Sequence, residues 1–277
     1  MSFIIEEDDI TEKIKSLDLS IKNLETLNSI VQDDDNWTIK KISQECIPNG
    51  WEEVFKEASD VLQCISDNIF DKSRNTFFPL KRDIFRALRE TPLNKVRVVL
   101  FGQDPFHNVS SNDGLPAAMG LSFSTRRGEN IQPSTRNMYN EIKRVIPDFI
   151  IPDHGDLTGW ARQGILLLNI SLTVEPGQPN SHGKFKIWLP FIQILLKAIA
   201  KIRPQCIYLL FGKDALSINT MINQNAKKII CSHPSPFSFN RGEFPFNQSG
   251  FAALIDKYLI EQGDKPIYWN ILSLLRE

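Results

Sequence analysis

Four short runs of apolar residues, 96–101 (VRVVLF), 165–168 (ILLL), 206–211 (CIYLLF) and 228–231 (KIIC), set the pattern of this chain. Each is short and mostly apolar, and each reads as a buried strand. Between them the period becomes helical. Residues 51–69 place Trp51, Val54, Phe55, Ala58, Val61, Leu62, Ile65 and Ile69 on one stripe. Residues 81–89, 134–145 and 187–202 read as further helices, the last ended by Pro204, and 248–261 and 267–275 supply two helical or mixed segments. Alternating strands and helices without an internal repeat predict one three-layer α/β/α domain, built on a central four-stranded, mostly parallel sheet.

In such sheets ligands bind beyond the carboxyl ends of the strands. Here those ends carry Gln103-Asp104-Pro105-Phe106-His107, Asn169, Gly212-Lys213 and His233-Pro234-Ser235, so an Asp, an Asn and a His distant in sequence are predicted to converge. Taken singly, each has a plainer reading. Asp104 before Pro105 is compatible with an ordinary strand-to-turn junction, Asn169 with a turn residue, and His233 with a satisfied histidine before a proline-rich bend. Ser134, after Pro133, also fits a helix N-cap.

Charge and composition narrow the class. The 277 residues are 42% hydrophobic, enough for a full core, and the net charge is −1. That balance hides an asymmetry: residues 1–36 hold ten acids against three lysines, which leaves residues 37–277 with a net of about plus six. The first 36 residues therefore read as an acidic extension with a short amphipathic helix over 14–27, and 37–277 as the globular body. The start of the chain lacks a signal peptide's basic and apolar regions, and no run is long enough to span a membrane, so an intracellular protein is expected. Cys46, Cys64, Cys206 and Cys231 show no C-x-x-C spacing, and the histidines are isolated, so neither disulfides nor a metal site is expected.

Five segments, taken together, resemble the classical (family 1) uracil-DNA glycosylases in the same order. They are Gly102-Gln103-Asp104-Pro105-Phe106-His107, Gly120-Leu121-Ser122-Phe123-Ser124, Leu166-Leu167-Leu168-Asn169, Gly212, and His233-Pro234-Ser235-Pro236-Phe237-Ser238. The likeness extends through 154–164 and Asn180-Ser181-His182 and covers about residues 50 to 270. It implies an enzyme that flips uracil from DNA and hydrolyses its N-glycosidic bond without a cofactor, acting as a monomer on single- or double-stranded DNA. By that resemblance Asp104 holds the attacking water, His233 donates to uracil O2, Gln103 helps through its backbone, Phe123 stacks on the base and Asn169 reads its edge. Ser134, Gly212, Lys213, Ser235, Ser238 and Arg241 contact the DNA backbone. The acidic extension, outside the resemblance, is a candidate contact for a protein partner.

Departures from the family pattern bear on specificity. Phe106 replaces the usual Tyr that walls off thymine's methyl group, keeping the steric barrier without the hydroxyl. Phe237 replaces the usual Leu wedge, Lys213 a small hydroxylated residue, and residues 108–119 form a longer, flexible-looking loop. Two other readings remain at this point. A glycosylase for C5-substituted uracils is disfavoured by the bulk of Phe106, and a non-catalytic DNA-binding relative by the joint presence of Asp104, Phe123, Asn169 and His233.

Overall fold

The computed structural model describes residues 36–72 and 76–271, together with 25, 26 and 30. The acidic runs and most of the helix expected over 14–27 lie outside the described residues. Ile30 packs into the main core.

The four expected strands form one sheet: β1 (Val98–Gly102), β2 (Ile165–Asn169), β3 (Ile207–Phe211) and β4 (Lys228–Cys231), in the order β2-β1-β3-β4. All three pairings are parallel, so the sheet expected to be mostly parallel is entirely so. The residues of β1, β2 and β3 are all buried, which accounts for their unbroken apolar runs. β1 starts two residues later than its pattern suggests, because Val96 closes a 3₁₀ turn over Leu93–Lys95.

Nine α-helices accompany the sheet among the described residues. They are α1 (Ile39–Glu45), α2 (Glu52–Glu57), α3 (Ser59–Lys72), α4 (Arg86–Glu90), α5 (Pro133–Val145), α6 (Thr158–Ala161), α7 (Leu189–Ile202), α8 (Gly212–Ser217) and α9 (Phe251–Glu261). The single helix expected over 51–69 is two, α2 and α3, parted at Ala58, and the one expected over 81–89 is a 3₁₀ turn (Lys81–Asp83) followed by α4. A helical stripe in sequence survives such a break because one irregular residue barely rotates the next turn. Residues 267–271 are not helical, and Trp269 instead inserts beside Trp160 and Phe251, with ring centroids 5.4 and 5.9 Å away.

Two aromatic clusters anchor the helices. Phe55, Phe85, Trp188 and Phe191 meet edge to face around α2, α4 and α7, while Tyr139, Trp160, Trp269 and Phe251 meet likewise around α5, α6 and α9. The three fully buried tryptophans each donate their ring N–H. Trp51 donates to the Leu88 carbonyl (3.0 Å), Trp160 to that of Trp269 (2.9 Å) and Trp188 to Thr173 Oγ1 (2.7 Å). Burial therefore leaves none of these polar groups unpaired, and truncating any of them to Ala would cost about 3–5 kcal/mol.

Candidate active site

The carboxyl ends of β1 and β2 are locked together beyond the strands themselves. Gly102 lies opposite Asn169 in the register, and the Ile170 and Ser171 N–H groups donate to the carbonyls of Gly102 (2.9 Å) and Gln103 (3.0 Å). Asn169 is buried, and its Oδ1 occupies the space where a β-carbon on Gly102 would stand. Glycine is required at 102 for that close approach and not for any unusual backbone angle. The amide of Asn169 thus sits directly over the turn that leads to Asp104.

Asp104 is half-buried, and its Oδ2 accepts the Asn180 N–H at 2.6 Å. Asn180 has a φ of 58°, a left-handed conformation that Asn tolerates better than most residues. Burial pushes the Asp104 carboxyl above its ordinary value; the Asn180 N–H and nearby His107 oppose that rise, and Asp214 adds to it. His107 accepts the Gly177 N–H through its carbonyl (2.7 Å), which ties the Asp104 turn to the loop after β2. His182 pairs through Nδ1 with Thr173 Oγ1 at 2.8 Å, so it orders that same loop from within.

Phe123 has a φ of 61°, unusual for a bulky residue and characteristic of functional positions. Its neighbours hold it there. Ser122 N–H donates to the Leu167 carbonyl (3.1 Å), Ser122 Oγ to that of Leu100 (3.2 Å), and Thr135 Oγ1 to that of Phe123 itself (2.6 Å). The ring reaches the His233 imidazole, centroid to centroid 5.7 Å with a 33° tilt.

His233 follows β4, and its Nδ1 accepts the Ser235 backbone N–H at 3.1 Å. A backbone N–H can only donate, so Nδ1 keeps its lone pair and a neutral ring carries its proton on Nε2. Burial pushes the imidazole below its ordinary value, with Asp214 opposing, which favours that neutral form. Gly212, at a φ of 82°, permits the contact: a β-carbon there would stand 2.8 Å from His233 Cβ. On the other side, Asn137 of α5 donates to the Pro234 carbonyl at 2.8 Å.

The predicted DNA-contacting residues sit on α5, at the start of α8 and in the loop after β4. Phe237 projects into solvent, 83% exposed, and Lys213 and Arg241 are exposed. Ser134 is the second residue of α5; the N-cap position is Gln132, which makes no side-chain capping bond, so the N-cap reading of Ser134 is not what the helix uses. Ser235 and Ser238 point toward one another, Oγ to Oγ 2.9 Å, and Ser238 Oγ donates to the His233 carbonyl at 3.0 Å. Both hydroxyl protons are thereby committed inside the loop, so either serine must turn outward to meet a phosphate.

The 108–119 loop is not the flexible insert its composition suggests. Ser110 N–H bonds the Leu115 carbonyl (2.7 Å), Ala117 N–H that of Asn108 (3.0 Å), and Asn112 Nδ2 that of Gly128 (2.8 Å). Asp113 forms a two-pronged ion pair with Arg126 at 2.7 and 3.0 Å. Polar loop composition conceals order of this kind, because the partners are backbone carbonyls across the loop and two residues outside it, Arg126 and Gly128.

Three positions were missed by the sequence reading as contributors to the site: Asn137, Asp214, and Asn180 as the residue that holds Asp104. Asp214, two residues after Gly212, is an acid whose charge raises both Asp104 and His233. Its only sequence signal was its nearness to the glycine turn. A cavity of about 350 Å³ borders the site and is lined in part by Gln103, Asn180 and Asp214, whereas a larger one of about 830 Å³ lies between α2 and α7, remote from all these residues. Among the described residues no three His, Cys, Asp or Glu side chains gather as a metal-holding group.

A parallel α/β/α sheet that gathers an acid, an amide, an aromatic ring and a neutral imidazole at its strand ends defines a protein built to hold and act on a flat polar group. The uracil DNA glycosylase superfamily model matches residues 88–257. Uracil-DNA glycosylases of Francisella tularensis subsp. novicida and Shewanella oneidensis are 38% and 43% identical to it over 221 and 195 residues. Those matches span 79% and 70% of this chain and 93% and 85% of the relatives. The crystal structure of mimivirus uracil-DNA glycosylase shares the fold, with a TM-score of 0.74 over 80% of this chain and 86% of that one, at 24% identity. The chain belongs to the uracil DNA glycosylase superfamily.

Proposed function

We infer that the pocket at the strand ends carries out uracil excision from DNA, hydrolysing the N-glycosidic bond to free uracil and an abasic site. The observation that carries the assignment of roles is the His233 Nδ1 bond to Ser235, since it leaves Nε2–H as a donor in the neutral ring. A base within a duplex is out of reach, so the nucleotide is flipped into the pocket and read there. Phe123 stacks on it. The Asn169 amide offers a donor to O4 and an acceptor to N3–H, a polarity that cytosine does not match.

As the bond to C1′ breaks, negative charge gathers on the uracil and positive character on the sugar. His233 Nε2–H and the backbone at Gln103 stabilise the first; the Asp104 carboxylate faces the second and positions the water whose oxygen bonds C1′. Fixed donors and a fixed anion need no reorganisation during reaction, and one such donor is worth about 10²–10³ in rate. Phe106 walls the C5 side, and the exposed Phe237 ring fills the gap left by the flipped base, as apolar wedges do. Ser134, Gly212, Lys213, Ser235, Ser238 and Arg241 hold the backbone of single- or double-stranded DNA, and the protein acts as an intracellular monomer. Each role falls to a side chain or backbone amide, so the scheme invokes no cofactor. Among the described residues no helix is long and apolar enough to cross a membrane. The acidic 1–36 segment is assigned to a protein partner, and its deletion leaves excision intact on this reading.

Single-turnover release of uracil from a short DNA with one internal uracil tests the assignment. Release that collapses in both Asp104→Asn and His233→Ala is expected; DNA binding without release would instead make this a non-catalytic relative.

A further inference from the structure

Phe106 carries no hydroxyl, so only packing can fix its ring. That packing is separate from the main core. The ring rests on a small satellite cluster of Phe78, Ala118 and Val174, which are 7%, 4% and 0% exposed. The three come from different parts of the chain: the segment before β1, the end of the 108–119 loop, and the stretch after β2.

Each support is itself anchored. Phe78 and Val174 exchange two backbone hydrogen bonds, Phe78 N–H to the Val174 carbonyl (2.8 Å) and Val174 N–H to that of Phe78 (3.0 Å). Ala118 pairs with Thr125 in an antiparallel bridge, and the neighbouring Ala117 N–H bonds the Asn108 carbonyl, two residues beyond Phe106. The 108–119 loop thus returns to brace the ring from which it departs. Backing of this kind decides how far the ring can retreat when a substituent presses on it, because close-packed neighbours transmit strain and do not absorb it.

We propose that Phe78, Ala118 and Val174 determine the enzyme's discrimination at the C5 position of the base by setting the position of the Phe106 ring. The proposal rests on the uracil-excising reading of the pocket. The three residues are positioning residues that act through Phe106, and the base that they govern is a pyrimidine bearing a group at C5.

The test is single-turnover release from matched single-stranded oligonucleotides containing uracil, 5-fluorouracil or thymine. Val174→Ala removes support behind the ring and is expected to raise thymine and 5-fluorouracil release relative to uracil by about tenfold or more, within the 10–200-fold that one methylene commonly governs. Ala118→Val adds bulk behind the ring and is expected to lower 5-fluorouracil release relative to uracil. Uracil release by the same preparations reports folding, and a merely structural defect lowers all three substrates together. If Val174→Ala fails to fold, the direction of the Ala118→Val ratio decides alone. Ratios unchanged from wild type overturn the inference while leaving uracil excision standing; absence of uracil release by the wild-type protein overturns the reading beneath it.

Discussion

The contact between Gly102 and Asn169 makes a sharp prediction for Gly102→Ala. The added β-carbon falls on Asn169 Oδ1 and 2.8 Å from Ser122 Cβ. Ser122 cannot yield, since its N–H and Oγ are tied to the Leu167 and Leu100 carbonyls. The Asn169 amide must therefore swing away. Overpacking of this sort costs about 1–3 kcal/mol, and each kcal/mol lowers Tm by about 2–4 °C in a domain of this size. The catalytic cost is larger. Displacing a positioned group by about 1 Å can remove about 10²-fold in rate, so single-turnover uracil release is expected to fall at least that far in protein that is still folded. Gly128→Ala is the control: its φ is 89° and nothing lies within 4 Å of the added carbon, so it bears backbone strain of about 1–2 kcal/mol without touching the site. A Gly102→Ala protein that melts lower but releases uracil at the wild-type rate would refute the claim that this glycine makes room for the base-reading amide.

Other outcomes follow from the same geometry. Because burial raises the Asp104 carboxyl in the folded protein, its ionisation opposes folding above that raised value and not below 3.8; Asp104→Asn is expected to melt higher at pH 7 while abolishing release, the gain fading as pH falls toward 3.8. Asp214 raises both Asp104 and His233, so Asp214→Asn should shift the acid limb of the single-turnover pH profile to lower pH, and an unmoved limb would remove Asp214 from the site's electrostatics. His233, held below 6.5 in the fold, makes protonation destabilising, so stability is expected to decline as pH drops below 6.5, and less so in His233→Gln. Lys213→Ser should reduce the slope of log affinity against log salt by about 0.9 if the lysine meets a phosphate of duplex DNA, and identical slopes would exclude that contact.

Much of the fold was legible because three of its four strands are buried on both faces, the edge strand β4 leaving Ile230 exposed, and its helices on one. That geometry writes itself into composition as unbroken runs and helical stripes, and it specified the α/β/α class, the four strands and most helices. The break at Ala58 was not legible, since Val54, Ala58 and Leu62 keep a helical spacing across it. Local motifs around Asp104, Phe123, Asn169 and His233 marked the candidate site for a related reason: each needs particular residue types in a short stretch of backbone.

What the sequence determined by itself was therefore the identity of the groups and the strand ends that carry them. The tertiary structure decided how those groups meet. Only in three dimensions does Gly102 make way for Asn169, Ser235 settle the proton of a neutral His233, Asn137 reach the Pro234 carbonyl, and Phe78, Ala118 and Val174 close behind Phe106. The first and the last two join residues from 12 to 97 positions apart. Contacts of that range leave no periodicity or spacing in the chain, because they are selected by packing and hydrogen-bond geometry after the sheet has brought its ends together.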